Sequence, residues 1–154
     1  MTIDNREMNR RMIRLSESST SRFWRLDYKD LSPPERVFLV IWELESEVNN
    51  GGFHQYFYNS SGALAPHVVG ALKTIGAQAT ADIVQRALDA VVNTITSWSD
   101  DVNRQARVNQ LSSATRQILE ELDQKYFACS EDLTPLLYKY VADHRIEVHA
   151  PADF

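Results

Sequence analysis

Apolar residues recur along the chain at the three- and four-residue intervals of α-helices, and no stretch alternates between apolar and polar residues as a half-buried β-strand would. The clearest apolar stripe consists of Val37, Ile41, Leu44 and Val48, and it predicts a helix with a broad buried face. The residues Ser32-Pro-Pro-Glu35 stand before this stripe and have the composition of a capping box. We therefore predict that the helix begins at this serine.

Similar stripes predict helices along most of the remaining chain. The expected helical ranges are 6–20, 53–57, 66–75, 79–96, 104–127 and 133–141. The predicted fold class is all-α, a single compact bundle of five to seven helices. We expect residues 1–22 to form a basic, helical or flexible segment, residues 23–146 an all-α domain, and residues 147–154 a loose tail.

The least generic stretch follows the helix that begins at Ser32. Asn and Gly residues at 49–52 favour the left-handed conformation that ends a helix, so they predict a sharp corner. Three aromatic residues then share the inner face of a short helix, which ends at a polar turn. The corner motif, to which we assign a structural or binding role, comprises Glu47, Asn49, Asn50, Gly51, Gly52, Phe53, Gln55, Tyr56, Phe57, Asn59, Ser60, Ser61 and Gly62. We expect Gly51→Val to reduce stability more than His54→Ala reduces any activity.

The net charge of −5 is unevenly distributed along the chain. Residues 1–36 hold 8 Lys and Arg against 6 Asp and Glu, whereas residues 37–154 hold 8 against 15, a net charge of −7. Such an acidic body disfavours direct binding of nucleic acid and permits a basic partner. The acidic candidates for that contact are Glu43, Glu45, Asp100, Asp101, Glu120, Glu121, Asp123, Glu131 and Asp132. Gathered on one surface they would imitate a row of phosphates, whereas dispersed they would only favour solubility.

Cysteine usage and hydropathy indicate the compartment. A single cysteine, Cys129, excludes an intrachain disulfide and fits a reducing environment. No apolar run approaches the ~20 residues that a membrane-spanning helix needs, and the first residues lack the apolar core of a signal peptide. We therefore expect a cytoplasmic protein without membrane contact.

Catalytic chemistry has one candidate location, the corner itself. Glu43 and Glu47 lie one helical turn apart, and His54 and Tyr56 follow closely, so a small-ligand or catalytic pocket formed with Gln55 remains an alternative. Helical di-metal sites, however, need Glu-x-x-His motifs, and none occurs here. The amide side chains of the corner can also form hydrogen bonds with the backbone N–H and C=O groups that are left unpaired at two helix ends. We predict no catalytic residue, no metal and no cofactor.

The corner also carries a family resemblance, in the run Glu47-Val-Asn-Asn-Gly-Gly-Phe-His-Gln-Tyr-Phe-Tyr-Asn-Ser-Ser-Gly62. This run resembles the signature of a bacterial domain family of largely unknown function whose best-described member is a dimeric DNA-mimic protein that engages a DNA-binding transcription factor. Leu122-Asp-Gln-Lys-Tyr-Phe127 and Leu137-Tyr-Lys-Tyr-Val141 are similar to the family's C-terminal pattern, so the resemblance covers about residues 30–145.

The resemblance implies an all-α fold, a homodimer and an acidic surface that occupies the site of a DNA-binding protein. The function we predict is therefore a non-enzymatic protein-interaction module, a DNA mimic that binds a basic DNA-binding or regulatory protein. Two alternatives remain, the pocket at the corner between Glu43 and Asn59 and an immunity- or antitoxin-like protein that binds a basic toxin.

Overall fold

The computed structural model describes residues 2–17 and 22–154. Over these residues the chain forms helices and no β-strand, which confirms the predicted all-α class. The α-helices are α1 (Asn5–Glu17), α2 (Pro33–Tyr58), α3 (Ala65–Thr74), α4 (Gln78–Val91), α5 (Asp101–Asn109), α6 (Ser113–Ala128) and α7 (Leu133–Asp143). Short 3-10 helices span Tyr28–Asp30 and Ser60–Leu64. No helix in the described ranges has the length and apolar content needed to cross a membrane.

Contacts group the chain into two compact units, residues 1–39 with 132–154 and residues 40–131. In the first unit α1 packs against α7. Met12 and Leu15 are the buried apolar residues of α1, and the Asn5 amide donates a hydrogen bond to the carboxylate of Asp132. The basic segment predicted at the N-terminus therefore contains a packed amphipathic helix, although its predicted end at residue 20 lies outside the described residues.

The start of α2 has the predicted capping box. The backbone N–H of Glu35 donates to Ser32 Oγ at 3.2 Å, and the N–H of Ser32 donates to Glu35 Oε1 at 2.9 Å. Glu35 is fully buried, and its other carboxylate oxygen lies 3.2 Å from Arg22 Nε and 3.5 Å from His149 Nδ1. A hydrogen bond to Oε1 and the charge of Arg22 beside Oε2 thus compensate for the burial of this carboxylate, although Oε2 accepts no hydrogen bond among the described residues.

Residues 147–154, predicted as a loose tail, also have partners in the first unit. Ser32 Oγ donates to the carbonyl of Glu147 at 2.8 Å, and Val148 is buried. The ring of Phe154 stacks on that of Tyr138, with centroids 5.2 Å apart.

The second unit contains α3 to α6, with α4 packed against both α3 and α6. The single long helix predicted over 104–127 is wrong, because the chain breaks after Asn109 and Ser112 caps a new helix by accepting a hydrogen bond from Thr115 N. This break shifts the phase of the apolar stripe. Leu119 is buried in α6, whereas Ile118, which an unbroken helix would turn inward, is 45% exposed.

Candidate functional site

The corner is a kink inside α2, at Gly51 and Gly52. Gly52 has φ 76° and ψ −175°, a combination open essentially to glycine alone. A Cβ atom there would also lie 2.3 Å from Asp123 Oδ2. Gly51, in contrast, has an extended φ of −154° that any residue adopts, and its Cβ would lie 1.9 Å from Gln55 Oε1 and 2.9 Å from Gln55 Cβ, so the side chain of Gln55 would have to move. Gly52 is therefore the residue on which the kink depends.

The kink starts a new helical run at residues 53–58, which we call the distal segment of α2, and Asp123 of α6 caps its first backbone N–H group. The N–H of Phe53 donates to Asp123 Oδ1 at 2.8 Å. A carboxylate at this position also interacts favourably with the positive end of the helix dipole. Burial raises the pKa of Asp123, and the hydrogen bond from Phe53 opposes that rise.

Arg104 of α5 holds the opposite end of the distal segment. Its side chain is fully buried, Nε donates to the Phe57 carbonyl at 2.8 Å, and Nη2 donates to the Asn59 carbonyl at 2.9 Å. Nη1 donates to the carbonyl of Trp98, and Asp101 supplies a carboxylate 2.8 Å from Nη2. The guanidinium thus replaces the N–H donors that the carbonyls at the end of a helix lack.

Gly62 makes room for this guanidinium. A Cβ atom at Gly62 would lie 2.5 Å from the Phe57 carbonyl oxygen and 2.7 Å from Arg104 Nε. Both distances are shorter than any tolerated contact, and the first involves backbone that cannot swing away. The last glycine of the motif is therefore required by close approach.

The carboxylate of Glu47 bridges the kink from the other side. Its Oε2 accepts hydrogen bonds from Gln55 Nε2 and Asn59 Nδ2, both at 2.8 Å. Glu43 lies one turn earlier on α2, where burial and then the charge of Glu47 raise its pKa. Tyr56 is fully buried with no hydrogen-bond partner for its hydroxyl, and burial together with the charge of Glu43 raises its pKa.

The three aromatic residues of the motif point inward, as their spacing predicts. Phe53, Tyr56 and Phe57 are all fully buried. The ring of Phe53 makes an edge contact with Tyr126 at 5.8 Å between centroids, and the ring of Phe57 makes one with Trp98 at 5.5 Å. The distal segment is thus anchored by its aromatic face as well as by charges at both ends.

His54 lies in a different environment from the other polar residues of the motif. It lines a cavity of about 130 Å³ together with Arg116, Leu119, Glu120 and Asp123 of α6. Its Nε2 is buried, and no residue in the described part of the chain forms a hydrogen bond with it. Burial and then the charge of Arg116 lower the pKa of His54, and Asp123 opposes them in part. Glu47 and Gln55 bond to each other instead, so the residues of the sequence-predicted pocket have two separate sets of partners.

Most of the acidic candidates satisfy groups of the protein itself. Asp100, Asp123, Glu131 and Asp132 accept hydrogen bonds from backbone N–H groups at the starts of helical segments. Glu45 accepts from the Tyr126 hydroxyl, and Asp101 pairs with Arg104. Glu120 and Glu121 are exposed on α6. With Asp123, Gln117 and Gln124 they line one shallow depression, so the structure brings three of the acidic candidates together on this helix.

Sequence reasoning missed the role of Arg104 and assigned Asp123 only to the surface. The sequence does indicate that this arginine is buried. Arg104 stands one helical turn before Val108 and two turns before Leu111, so it occupies an inward position of their apolar stripe. A charged residue at such a position needs partners within the protein.

The described residues include no group of three or more His, Cys, Asp or Glu that could hold a metal ion.

A family model described as DMP19-like protein matches residues 29–144, a range that contains the corner motif and helices α2 to α7. No curated protein and no solved structure matches the chain.

Proposed function

Because the chain belongs to the DMP19-like family, we propose that it is a non-enzymatic protein-interaction module whose acidic surface binds a basic DNA-binding or regulatory protein in place of DNA. This family is one of DNA-mimic proteins, so the family supplies the general role. The identity of the surface comes from the distribution of charge in this chain.

The observation that supports the proposal best is that the entire net charge belongs to the second unit. Residues 40–131 hold eleven Asp and Glu against six Lys and Arg, a net charge of −5. Residues 1–39 and 132–154 together hold ten of each, a net charge of zero. A basic partner would therefore be attracted to the unit that carries the corner motif, α4, α5 and α6.

The contacts of these carboxylates leave most of their negative charge in place. The partners of Glu47, Asp123 and Glu131 are amide and backbone N–H groups, which are neutral. Arg104, one of the six basic residues of the unit, is buried and directed at backbone carbonyls. Its charge is therefore less available at the surface than those of the exposed carboxylates Glu120 and Glu121.

The experiment is capture followed by competition. The full chain, immobilised, is exposed to an extract of its host, and each captured protein is purified and bound to a fluorescent duplex DNA. We expect the free chain to displace that DNA, and the displacement to weaken steeply as salt rises.

A matched pair of variants tests where the surface lies. Glu120→Gln with Glu121→Gln removes two exposed charges from α6, and Asp82→Asn with Asp89→Asn removes two exposed charges from α4. We expect the first pair to weaken competition more. Captured proteins that neither DNA nor salt displaces would exclude mimicry.

The alternatives are less well supported by the geometry. A catalytic or ligand pocket at the corner would need His54 and Glu47 to face one another, whereas Glu47 bonds to Gln55 and Asn59 and His54 lines the cavity beside α6. A binder of a basic toxin would use the same acidic surface, and its complex would persist in the presence of DNA. A homodimer and a cytoplasmic location remain predictions.

A further inference from the structure

The cavity beside His54 is a feature that the family role does not explain. Its volume of about 130 Å³ is the size of a side-chain end and too small for a nucleotide or a sugar. Leu119 gives it an apolar surface, and Glu120 and Asp123 give it two carboxylates. The same two carboxylates line the adjoining depression with Glu121, so negative charge extends along α6 from the cavity.

The basic residue of the cavity has partners elsewhere. Arg116 Nε donates to the Leu111 carbonyl at 3.2 Å, and Nη2 donates to the Asn109 carbonyl at 3.3 Å. The guanidinium therefore serves the C-terminal end of α5, as a cation near the end of a helix does. Its charge still reaches His54, but the cavity is lined by two carboxylates against this one cation. Glu120 is not tied to it by any ion pair that the structure shows among the described residues.

His54 supplies an unused polar atom to the same cavity. Its Nε2 is buried and has no hydrogen-bond partner among the residues that the structure describes. Since burial and Arg116 both lower the pKa of this ring, it is neutral at pH 7. In the tautomer that carries its proton on Nδ1, Nε2 is a free acceptor. An acceptor that is buried and unpaired is a position where a donor from a ligand gains a full hydrogen bond.

We propose that this cavity binds the cationic end of a lysine or arginine side chain from a partner protein. The ammonium or guanidinium would lie between Glu120 and Asp123 and donate to His54 Nε2. This inference rests on the proposed function, because it names the group by which a basic partner is held.

The test uses the full chain with histidine rings labelled for NMR and three probes, which are acetylated and amidated octalysine, octaarginine and a neutral Gly-Ser octapeptide. The His54 resonance is identified as the one that His54→Gln removes. We expect both basic peptides, and not the neutral one, to shift this resonance, and the peptide that binds more tightly to identify the preferred cation.

We expect Glu120→Gln to raise the Kd of the basic peptides about threefold, the range of a partly exposed charge pair. Asp89→Asn, which makes the same charge change on α4, should leave the Kd unchanged.

The pH dependence separates a direct role of His54 from a general attraction. As pH falls from 7.5 through the pKa of His54, which lies below its ordinary value of 6.5, protonation of the ring converts the acceptor into a second cation, so the Kd should rise. Glu120, Asp123 and Arg116 are the other charged groups that face the ring in the cavity, and burial raises the pKa of Asp123. His54→Gln keeps an acceptor that does not titrate, so its Kd should stay flat over the same range.

Two results would overturn the inference. One is the absence of a peptide-dependent shift at His54, and the other is an equal loss of affinity in Glu120→Gln and Asp89→Asn. Either can occur while a captured protein still competes with DNA, in which case the proposed function stands and its basic contact lies elsewhere. Conversely, peptide binding at His54 without any DNA-competing partner would contradict the proposed function and leave the cation site in place.

Discussion

Replacement of Gly52 by alanine tests the central feature of the corner. The backbone at this position has a positive φ and an extended ψ, and alanine adopts that combination only with strain of about 1–3 kcal/mol. The new Cβ would also lie 2.3 Å from Asp123 Oδ2, so the carboxylate must move and its cap on Phe53 N is weakened or lost. Loss of an N-cap costs about 0.5–2 kcal/mol.

The two effects together predict that Gly52→Ala lowers the free energy of unfolding by about 2–4 kcal/mol. For a chain of this length the corresponding fall in Tm is about 5–15 °C. Urea unfolding followed by far-ultraviolet circular dichroism, with thermal melts of the same samples, measures both quantities. Gly70→Ala is the matched control, because Gly70 is exposed in α3 and a Cβ there meets no atom within 4 Å. That control should gain up to about 1 kcal/mol of stability.

A double-mutant cycle separates the strain from the collision. With Asp123→Ala already present, Gly52→Ala has no carboxylate to displace, so the pair should cost less than the sum of the single variants. The reasoning is refuted if Gly52→Ala is as stable as Gly70→Ala, or if the two losses at positions 52 and 123 add. A fully additive pair would mean that Asp123 stays in place and that the cap survives the substitution.

Three further substitutions test other parts of the site. In urea titrations, Arg104→Met should lower the free energy of unfolding by about 2–4 kcal/mol, because it leaves buried carbonyls unpaired. Arg107→Met, on the exposed face of the same helix, should change that free energy by less than about 0.5 kcal/mol. Glu43→Gln should raise Tm at pH 7 and not at pH 4. Folding raises the pKa of this carboxyl, so its ionised form destabilises the folded state above that pKa, and this destabilisation is absent below the unfolded value of 4.5. Ser32→Ala should cost about 1 kcal/mol in thermal melts because it removes the cap of α2, and an unchanged Tm would contradict the capping role.

The elements of the fold could be predicted wherever the responsible signals are close together in the sequence. The capping box at Ser32 and Glu35 and the apolar stripe of α2 each span a few residues, and both are present in the structure. The break between α5 and α6 was missed because Leu111 continues the apolar spacing across it. Only the capping preference of Ser112 marks that break, and a serine within a helical pattern is a weak signal.

The corner shows what the sequence could not provide. Its glycines, amides and aromatics predicted a sharp turn, but the groups that fix the turn come from distant positions. Asp123 is 70 residues from Phe53, and Arg104 is 47 residues from Phe57. Nothing in the local pattern relates these pairs, since their proximity depends on how α5 and α6 pack in the second unit. Gly52 is the stricter position because it combines a positive φ with a collision against Asp123, a residue remote in sequence.

These contacts also bear on where a partner is recognised. The side chains of the corner motif are mostly occupied, because Glu47 bonds to two amides and the three aromatics are buried. The signature that identifies the family therefore specifies the shape of α2 more than it offers free groups to a partner. His54 differs from these residues, since its unpaired nitrogen lies on the acidic side of α6, whereas the unpaired hydroxyl of Tyr56 is enclosed in the core. Asp123 then has two roles, as the cap that holds the distal segment in place and as a carboxylate of the cavity beside it. A substitution there would change stability and binding together, whereas Glu120→Gln would change binding alone.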